Sequence, residues 1–322
     1  MKKKTPDSSA NRSILLMTYL MAGLFVCMMG YFGYFLQVRG ENVINNSYNS
    51  RLDRFADRII RGQIFSSDGR VLAYTEKGED GSERRVYPYG SLFAHVVGYS
   101  DNGKTGLEAL ANFYLLSSHM NLVEQTVNEL SGVKNMGDNV VTTLDAGLQE
   151  TAAAALGERR GAVIAMEPDT GKVLAMVSYP GFDPNTLSQD WNALISGDNT
   201  EAQLLNRCTQ GVYPPGSTFK IVTMLEYARE HPDTWQDFVF DCDGRYEEGE
   251  YAISCYHGTA HGHQTIAQAF ANSCNGAFAA LGQELDLKKM NGLAGQLLFN
   301  GELPLALAYS KSSFTMTEGA GL

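Results

Sequence analysis

The chain has 322 residues, of which 44% are hydrophobic and 19% charged, and its formal net charge is −11. That length suits two domains with additional segments, and the composition is ordinary for a folded protein. The acidic balance, with no basic stripe and no nucleic-acid motif, argues against a nucleic acid as partner.

Residues 14–36 form a mostly apolar segment without a charged side chain. That length suits a bilayer-spanning helix and exceeds the apolar core of a cleavable signal peptide, the competing interpretation. Basic residues concentrate before the segment, and Arg39 alone follows it closely; those before it are Lys2, Lys3, Lys4 and Arg12. This asymmetry predicts a single-pass protein of the cell membrane, with a cytoplasmic tail over residues 1–13 and an extracytoplasmic location after about residue 37.

Residues 37–145 read as a mixed, strand-rich segment. The turn sequence Ser66–Gly69 separates two short apolar runs and predicts a hairpin closed by an Asp-Gly turn. A further apolar run covers residues 94–99, and its His95 has no metal-spaced partner nearby, which favours a structural role. Residues 98–105 match the P-loop pattern formally, but Asp101 would face the phosphates, so nucleotide binding is rejected.

A new unit, residues 146–322, begins with an amphipathic helix ending near Leu156. Apolar runs over residues 161–166 and 172–177 flank a Pro-Asp-Thr-Gly turn, which predicts a hairpin of largely buried strands. A second hairpin-like region follows over residues 238–253. Thr265 and Gln268 then form a capping box for the next helix.

The most informative stretch is Tyr213–Lys220, where Pro214 and Pro215 exclude a helix before Ser217. From Ser217 onward the pattern is helical and stops at Pro232; its apolar positions are Phe219, Val222, Leu225 and Ala228. Ser217 therefore falls in the first helical turn, where free N–H groups stabilise negative charge. Lys220, at i+3, shares its face and could accept the serine proton if it is desolvated.

The bare Ser-x-x-Lys pattern is weak, because the chain contains a second copy at Ser131–Lys134. That copy continues into a loop sequence, so its two side chains share no helix face, and we interpret it as solvated surface. A polar turn, Ser273–Asn275, separates two apolar helices further on. A simple break between two helices, without any catalytic role, would also explain such a turn.

Taken together these residues resemble the class B penicillin-binding proteins. The resemblance rests on ordered motifs from the membrane segment to the end of the chain: Arg61-Gly62, Asp68-Gly69, residues 103–108, Thr142–Asp145, Leu148-Gln149, Ala162–Asn185, Asn206-Arg207, Tyr213–Lys220, His261-Gly262 and Ser273–Asn275. It implies an α+β fold: a membrane-anchored pedestal of the dimerisation type over residues 37–145, then a transpeptidase domain with an antiparallel sheet, helices on both sides and a helical subdomain.

The resemblance also implies an activity and roles. The activity is a D,D-transpeptidase that cross-links peptidoglycan stem peptides from a lipid-linked precursor and is acylated by β-lactams. Ser217 would be the nucleophile, Lys220 the base, Ser273 a proton relay, and Asn275 a support for Lys220 and a substrate amide. No cofactor and no metal are implied. A membrane glycan polymerase is a further expected partner.

The sequence departs from the family in one respect. No Lys-Thr-Gly or Lys-Ser-Gly triplet follows Asn275, and the triplet Lys104–Gly106 lies in the pedestal instead. We therefore expect either the N-terminal part of a transpeptidase or a product that has lost full activity, with an incomplete sheet. Residues 37–322 alone should be poorly soluble or partly unfolded, and should not be labelled at penicillin concentrations that saturate the completed protein. Two alternatives stay open: an inert membrane scaffold that docks a glycan polymerase, and a β-lactam-hydrolysing or β-lactam-sensing relative.

The chain has five cysteines, one of them, Cys27, in the apolar segment. Cys242 and Cys255 flank Glu248-Gly249 symmetrically, so a hairpin with that turn would bring them face to face. A disulfide, two free thiols, and a zinc site completed by His257 and His261 are all open alternatives.

Overall fold

The structure is a computed structural model, and it describes residues 8–38 and 58–317. The chain divides into two compact units, residues 1–208 and residues 209–322. The division falls inside the segment expected to form the transpeptidase domain, and the predicted domain boundaries stay predictions. Parts of the predicted tail and pedestal, residues 1–7 and 39–57, lie outside the described residues.

In the first unit, helix α1 (Ser8–Val38) contains the predicted apolar segment. Its stretch Ile14–Phe35 is 22 residues long, has a mean hydropathy of 1.9 and buries none of its side chains. By length and composition this helix can cross a bilayer.

Short strands build the pedestal: β1 (Ile59–Ile60), β2 (Ile64–Phe65), β3 (Val71–Lys77), β4 (Glu83–Val86), β5 (Asn135–Met136) and β6 (Val140–Val141). Strands β4, β3, β2 and β6 form one sheet in that order, and β1 pairs with β5. The predicted hairpin is confirmed, since β2 and β3 pair antiparallel with Ile64 opposite Ala73. Gly69 has a φ of +82° in the turn, a conformation that favours glycine.

The helices of the first unit are α2 (Ala94–Val97), α3 (Gly106–Leu110), α4 (Asn112–Leu115), α5 (Leu122–Leu130), α6 (Ala146–Leu156) and α7 (Leu187–Leu194). The apolar run at residues 94–99 thus begins as a buried helical turn inside the strand-rich segment. His95 Nε2 lies 2.7 Å from the carbonyl oxygen of Gln203, to which it donates a hydrogen bond. This contact agrees with a structural histidine.

A buried ion cluster ties the pedestal strands to its helices. The Glu108 side chain is fully buried and accepts hydrogen bonds from Arg61 Nε at 2.6 Å and Arg85 Nε at 2.8 Å. Burial by itself raises the pKa of Glu108, but the two guanidinium charges outweigh it and hold the pKa below its usual range. The carboxylate is therefore ionised and compensated on both oxygens.

The hairpin predicted around the Pro-Asp-Thr-Gly turn is also confirmed. Strands β7 (Gly161–Met166) and β8 (Val173–Tyr179) pair antiparallel along their whole length. The prediction that both strands are largely buried is confirmed for β8 and wrong for β7. Strand β8 contributes buried residues such as Ala175 and Met176, whereas Ile164 and Met166 of β7 are 44% and 56% exposed. Among the described residues β8 is the only strand paired with β7, so one edge of β7 stays open.

The second unit has a 3-10 turn (Gly216–Phe219), helix α8 (Lys220–Glu230), strands β9 (Val239–Cys242), β10 (Arg245–Glu248), β11 (Tyr251–Ser254) and β12 (Gly262–Thr265), and helices α9 (Ile266–Ala271), α10 (Asn275–Glu284) and α11 (Leu287–Gln296). Strand β9 pairs antiparallel with β12, and β10 pairs with β11. The core between helices and strands includes Val222, Tyr227, Ile266, Phe278, Leu281 and Met290. Antiparallel hairpins and packed helices in both units confirm the α+β class.

The register of the β10–β11 hairpin corrects the predicted turn, although Cys242 and Cys255 face each other as expected, with their Sγ atoms 3.6 Å apart. Glu248 lies opposite Tyr251, so the turn is Gly249-Glu250 and not Glu248-Gly249. Gly249 has a φ of +61° at the first turn position, which is where a two-residue turn of type II′ requires glycine. Cys242 lies outside this hairpin, at the end of β9, where its partner in the ladder is Gly262 of β12.

Candidate active site

Ser217 lies in the 3-10 turn that leads into helix α8, and not in the first turn of an α-helix as predicted. The tighter winding has a local cause, because both the amide and the hydroxyl of Thr218 donate to the carbonyl oxygen of Pro215, three residues back. A 3-10 turn has three residues per turn, so side chains at i and i+3 eclipse each other. The turn therefore keeps Ser217 and Lys220 on one face, as the sequence predicted.

The hydroxyl of Ser217 is exposed to solvent. Within the part of the chain that the structure describes, its Oγ makes no hydrogen bond, and Lys220 is bonded elsewhere. Hydrogen bonds of catalytic groups are often long or absent before substrate binds. Ser217 also lies where backbone N–H groups still lack helical partners, which is favourable for an incoming oxyanion.

Three acceptor atoms surround the amine of Lys220. Its Nζ lies 2.6 Å from the carbonyl oxygen of Ser273, 3.0 Å from the Ser273 hydroxyl, and 2.6 Å from Asn275 Oδ1. We call this arrangement the lysine cradle. The lysine cradle brings together three of the four predicted site residues. The fourth, Ser217, lies one turn before Lys220 along the chain.

The lysine cradle can satisfy both protonation states of Lys220. An ammonium group donates three hydrogen bonds, one to each oxygen. A neutral amine donates two, to the carbonyl oxygens of Ser273 and Asn275, and its lone pair then accepts a hydrogen bond from the Ser273 hydroxyl. A proton can therefore move between Lys220 and Ser273 without leaving any of these polar atoms unpaired.

The surroundings of Lys220 make its amine easier to deprotonate. Partial burial lowers the pKa of Lys220, and the nearby thiols of Cys274 and Cys255 oppose the shift only in part. Within the described residues, no carboxylate accepts a hydrogen bond from its Nζ. The ring centroid of Phe278 lies 5.6 Å from Nζ, a cation–π contact that opposes the shift because it favours the ammonium form.

The turn that carries the lysine cradle is held by its neighbours. Ser273 has a φ of +52°, a left-handed conformation that costs a residue with a Cβ about 1–2 kcal/mol. The predicted capping box of Thr265 and Gln268 is confirmed and begins the helix that ends just before this turn. On the other side Asn275 Nδ2 donates to the carbonyl oxygen of Ser254 at 2.9 Å. Sequence analysis found the turn but missed Ser254 and the left-handed serine.

The second Ser-x-x-Lys copy has none of this geometry. Ser131 lies in the turn after α5, outside any helix. Lys134 forms an ion pair with Glu83, with Nζ and Oε1 3.0 Å apart. The copy itself lies outside helices and strands, as predicted, but the continuation predicted to be loop begins with strand β5 (Asn135–Met136).

A second polar cluster lies directly against the lysine cradle. The Sγ atoms of Cys242, Cys255 and Cys274 and a ring nitrogen of His261 all lie within 4.8 Å of one another. The three cysteines are buried and form no disulfide in the structure. The zinc alternative had named His257 in place of Cys274, but His257 is exposed and turned away against the Tyr256 ring. Sequence analysis missed Cys274, although it is the nearest cysteine after His261.

The thiols of this cluster differ in acidity. Burial by itself raises the pKa of Cys242, but hydrogen bonds from His261 outweigh it and lower the pKa to about 6. Burial raises the pKa of Cys274 to about 11. Three cysteines and one histidine are the donor set of a closed, tetrahedral zinc site.

Two stretches of the chain match known families. Residues 161–319 match "Penicillin binding protein transpeptidase domain" and residues 61–140 match "Penicillin binding protein A dimerisation domain". "Peptidoglycan D,D-transpeptidase PbpA" of Mycolicibacterium smegmatis is 33% identical over 255 residues, which cover 73% of this chain and 51% of that protein. "Peptidoglycan D,D-transpeptidase MrdA" of Escherichia coli K12 is 28% identical over 72% of this chain and 42% of that protein.

Among solved structures, penicillin-binding protein A of M. tuberculosis as a ceftriaxone acyl-enzyme complex superposes with a TM-score of 0.70. It is 30% identical, and the match covers 81% of this chain and 62% of that one. The chain belongs to the class B penicillin-binding proteins. It spans about half the length of the curated relatives named here.

Proposed function

We propose that the chain carries the acylation machinery of a D,D-transpeptidase that cross-links peptidoglycan stem peptides through a serine acyl-enzyme. The observation that carries this proposal is the lysine cradle, which surrounds Lys220 with uncharged acceptors one turn after the exposed hydroxyl of Ser217. The names of the relatives, peptidoglycan D,D-transpeptidases, support the substrate class. The acyl-enzyme complex of a relative with a cephalosporin supports β-lactams as ligands.

In the acylation step, Ser217 Oγ attacks the carbonyl carbon of the penultimate D-Ala, and its proton passes to neutral Lys220. An Oγ–C bond forms, and the amide C–N bond to the terminal D-Ala breaks. The leaving nitrogen takes a proton from the Ser273 hydroxyl, which regains one from Lys220. The Ser217 N–H stabilises the oxyanion that develops on the carbonyl oxygen. An amine of a second stem peptide then attacks the ester carbon, and a new amide N–C bond forms as the C–Oγ bond breaks. The proton that the amine loses returns to Ser217 Oγ through Lys220.

A β-lactam would enter the same sequence. Its ring amide takes the place of the D-Ala amide, so attack by Ser217 breaks the ring C–N bond and the nitrogen stays attached to the adduct. Asn275, fixed between Lys220 and the backbone of Ser254, would orient the neighbouring amide of either ligand. No metal or cofactor takes part in these steps.

We also propose that α1 anchors the chain in the cell membrane as a single span, with its N-terminus in the cytoplasm and the lysine cradle outside. The apolar stretch Ile14–Phe35 and the basic residues before it support this topology. A phosphatase reporter fused after residue 60 should be active, and activity of a cytoplasmic reporter alone at that point would overturn the orientation. A membrane glycan polymerase is the partner we propose for the pedestal, which matches a dimerisation domain.

The decisive test is covalent labelling by a fluorescent penicillin, measured on the in-frame gene product that contains this chain. We expect Ser217→Ala to abolish labelling, and peptide mass spectrometry to place the wild-type adduct on Ser217. The matched control is Ser131→Ala, in the second Ser-x-x-Lys copy, which should label like the wild type.

Each other outcome has a distinct meaning. Labelling that survives Ser217→Ala would show that the nucleophile is misassigned. A folded wild-type protein without any labelling would favour an inert membrane scaffold. An adduct that hydrolyses rapidly would favour a β-lactam-hydrolysing relative.

A further inference from the structure

Residues 312–316 of the second unit lie outside any helix or strand, yet their side chains follow a regular pattern. Phe314 and Met316 are half-buried, whereas Ser313 and Thr315 are exposed. A period of two in burial is that of an extended segment with one packed face. The packed side chains, Phe314 and Met316, contact the core of the second unit. We call residues 312–316 the strap.

Among the described residues no strand pairs with the strap, and two asparagine side chains take that place. Asn300 Nδ2 donates to the carbonyl oxygen of Phe314, whose amide donates back to Asn300 Oδ1 at 3.1 Å. Asn291 Nδ2 donates to the carbonyl oxygen of Met316 at 2.9 Å, and the Met316 amide donates to Asn291 Oδ1 at 3.0 Å. A carboxamide carries a donor and an acceptor side by side, so each asparagine satisfies both backbone groups of one strap residue.

Asn300 has a backbone conformation that suits this role. Its φ is +62°, in the left-handed region that asparagine tolerates better than most residues with a side chain. Its own amide donates to the carbonyl oxygen of Ser312 at 3.0 Å. One residue therefore binds the strap at three backbone groups, and these bonds align the strap independently of how its side chains pack.

The strap reaches the nucleophile through an aromatic cluster. The ring centroids of Phe314 and Phe219 lie 4.8 Å apart, with the ring planes inclined by 31°. Phe299 completes the cluster edge to face, at 5.8 Å from Phe219 and 6.0 Å from Phe314. These separations lie within the range of favourable aromatic pairs. Phe219 belongs to the same 3-10 turn as Ser217, two residues further along the chain.

The ring of Phe219 is the part of this turn that packs against the rest of the second unit. The other three residues of the turn Gly216–Phe219 are exposed, whereas Phe219 is half-buried. The hydrogen bonds from Thr218 to Pro215 are internal to the stretch. A 3-10 turn also has poorer hydrogen-bond geometry than an α-helix. The direction of Ser217 Oγ therefore depends on how the Phe219 ring is seated.

We propose that the strap positions Ser217 for attack, with Phe314 and Asn300 as the positioning residues. Asn300 fixes the backbone of the strap, Phe314 seats the Phe219 ring, and that ring sets the direction of Ser217 Oγ. The lysine cradle is built on a different turn, so the strap acts on the place of the nucleophile and not on the protons of the base. The effect on acylation rests on the proposed function, whereas the support of the turn by the strap does not.

Acylation kinetics of the in-frame gene product that contains this chain test the proposal. Rapid mixing with a chromogenic cephalosporin over a range of concentrations separates the dissociation constant of the first, noncovalent complex from the rate constant of acylation. A misplacement of about 1 Å can cost about 10²-fold in rate, so Phe314→Ala should lower the rate constant at least about tenfold and change the dissociation constant less than about threefold. Phe314→Leu, which refills most of the volume, should restore most of the rate. A wild-type rate constant in Phe314→Ala, or a loss confined to the dissociation constant, would overturn the proposal.

A second variant leaves the aromatic cluster intact. Asn300→Gly keeps a residue that accepts the left-handed conformation but removes both side-chain bonds to Phe314. We expect its acylation rate constant to fall about three- to tenfold, with the pH–rate profile in the wild-type position. The matched control is Asn102→Gly, at an exposed left-handed asparagine of the pedestal with a φ of +53°, which should react like the wild type. Equal rates in the two variants, or a displaced pH–rate profile in Asn300→Gly, would contradict the proposal.

Hydrogen exchange tests the strap without any chemistry at Ser217. The amides of Thr218 and Lys220 are hydrogen-bonded within the turn and should exchange at least about fivefold faster in Phe314→Ala and Asn300→Gly. The amides of α10 should exchange at the wild-type rate, which also shows that each variant is folded. Unchanged exchange in the turn would overturn the proposal. A wild type that is never acylated, together with faster exchange in the variants, would refute the proposed function and support the strap.

Discussion

The pedestal and the lysine cradle hold their charged side chains in opposite ways. In the pedestal, Glu108 is fully buried and each carboxylate oxygen faces a guanidinium group, from Arg61 and from Arg85. In the lysine cradle, Lys220 is only partly buried and the acceptors around its amine are uncharged. The pedestal thus compensates a charge, whereas the cradle binds an amine without compensating its charge.

This difference separates a structural cluster from a chemical one. The pKa of Glu108 is held low by two opposite charges, so the group keeps one protonation state across the physiological range. Partial burial lowers the pKa of Lys220, so its amine loses a proton more readily than a free lysine does. A base must be able to change its protonation state during the reaction, and only the second arrangement permits it.

The largest expected effect follows from removing the amine. Lys220→Met keeps most of the side-chain volume but leaves no group to accept the Ser217 proton. We expect penicillin labelling to slow by at least about 10³-fold, since residues that act as one unit lose most of their effect together. Lys134→Met, in the second Ser-x-x-Lys copy, should label at the wild-type rate. A loss under tenfold for Lys220→Met would mean that another group is the base.

The next largest effect concerns stability. Glu108→Gln leaves two buried guanidinium groups without a counter-charge, and breaking a buried ion pair in this way typically costs about 3–5 kcal/mol. We expect a loss of that size in the free energy of unfolding, measured by denaturant titration. Penicillin labelling of the protein that remains folded should not change. A change in the labelling rate at constant folded fraction would contradict the separation of the two clusters.

The same variant has a pH signature. The pKa of folded Glu108 is lowered from its ordinary value of 4.5, so the stabilisation is complete above about pH 4.5 and is lost as the pH falls through the folded pKa. The wild type should therefore lose stability progressively below pH 4.5, and Glu108→Gln should show a flatter profile there. Parallel profiles for the two proteins would contradict an ionised Glu108.

Asn275→Asp would turn the lysine cradle into an ion pair like that of the pedestal. A carboxylate 2.6 Å from Nζ stabilises the ammonium form, so the pKa of Lys220 should rise. An opposite charge at this range commonly shifts a pKa by about 1–3 units. The rising limb of the pH–rate profile for labelling should move to higher pH by that amount. Asn192→Asp, at an exposed position of α7, is the control, and equal profiles for both variants would contradict the account.

The smallest effect concerns the helix that leads into the Ser273 turn. Thr265→Ala removes the cap of α9, which typically costs about 1 kcal/mol of stability. Because the cap acts on the turn and not on the protons of the lysine cradle, the position of the pH–rate profile should stay the same. Thr151→Ala, on the exposed side of α6, should change the free energy of unfolding by less than about 0.5 kcal/mol.

Local patterns in the sequence predicted much of this architecture. The Asp-Gly and Pro-Asp-Thr-Gly turns located two hairpins, and the capping box located α9. The one-residue error at Gly249 has a different origin, because the choice between two adjacent turns depends on backbone torsion angles that composition does not reveal. The exposure of Ile164 and Met166 was missed for a related reason, since burial depends on which strands pair nearby.

The candidate site was predictable only in part. Spacing placed Ser217 and Lys220 on one face, and the polar turn drew attention to Ser273 and Asn275. Their meeting at Lys220 Nζ spans more than 50 positions in the sequence, so it depends on how α8 packs against α10. The convergence of Cys274 with Cys242, Cys255 and His261 likewise requires the tertiary fold, which is why the spacing suggested His257 instead.

The most direct test of the account is the protonation of Lys220 itself. The ¹³Cε shift of labelled lysine can be followed against pH by NMR, with Lys220→Arg to assign the resonance. We predict that Lys220 titrates clearly below its ordinary value of 10.5, and that Asn275→Asp raises that pKa. A pKa at or above 10.5 in the wild type would mean that the lysine cradle holds a permanent ammonium, and would contradict the role of Lys220 as base.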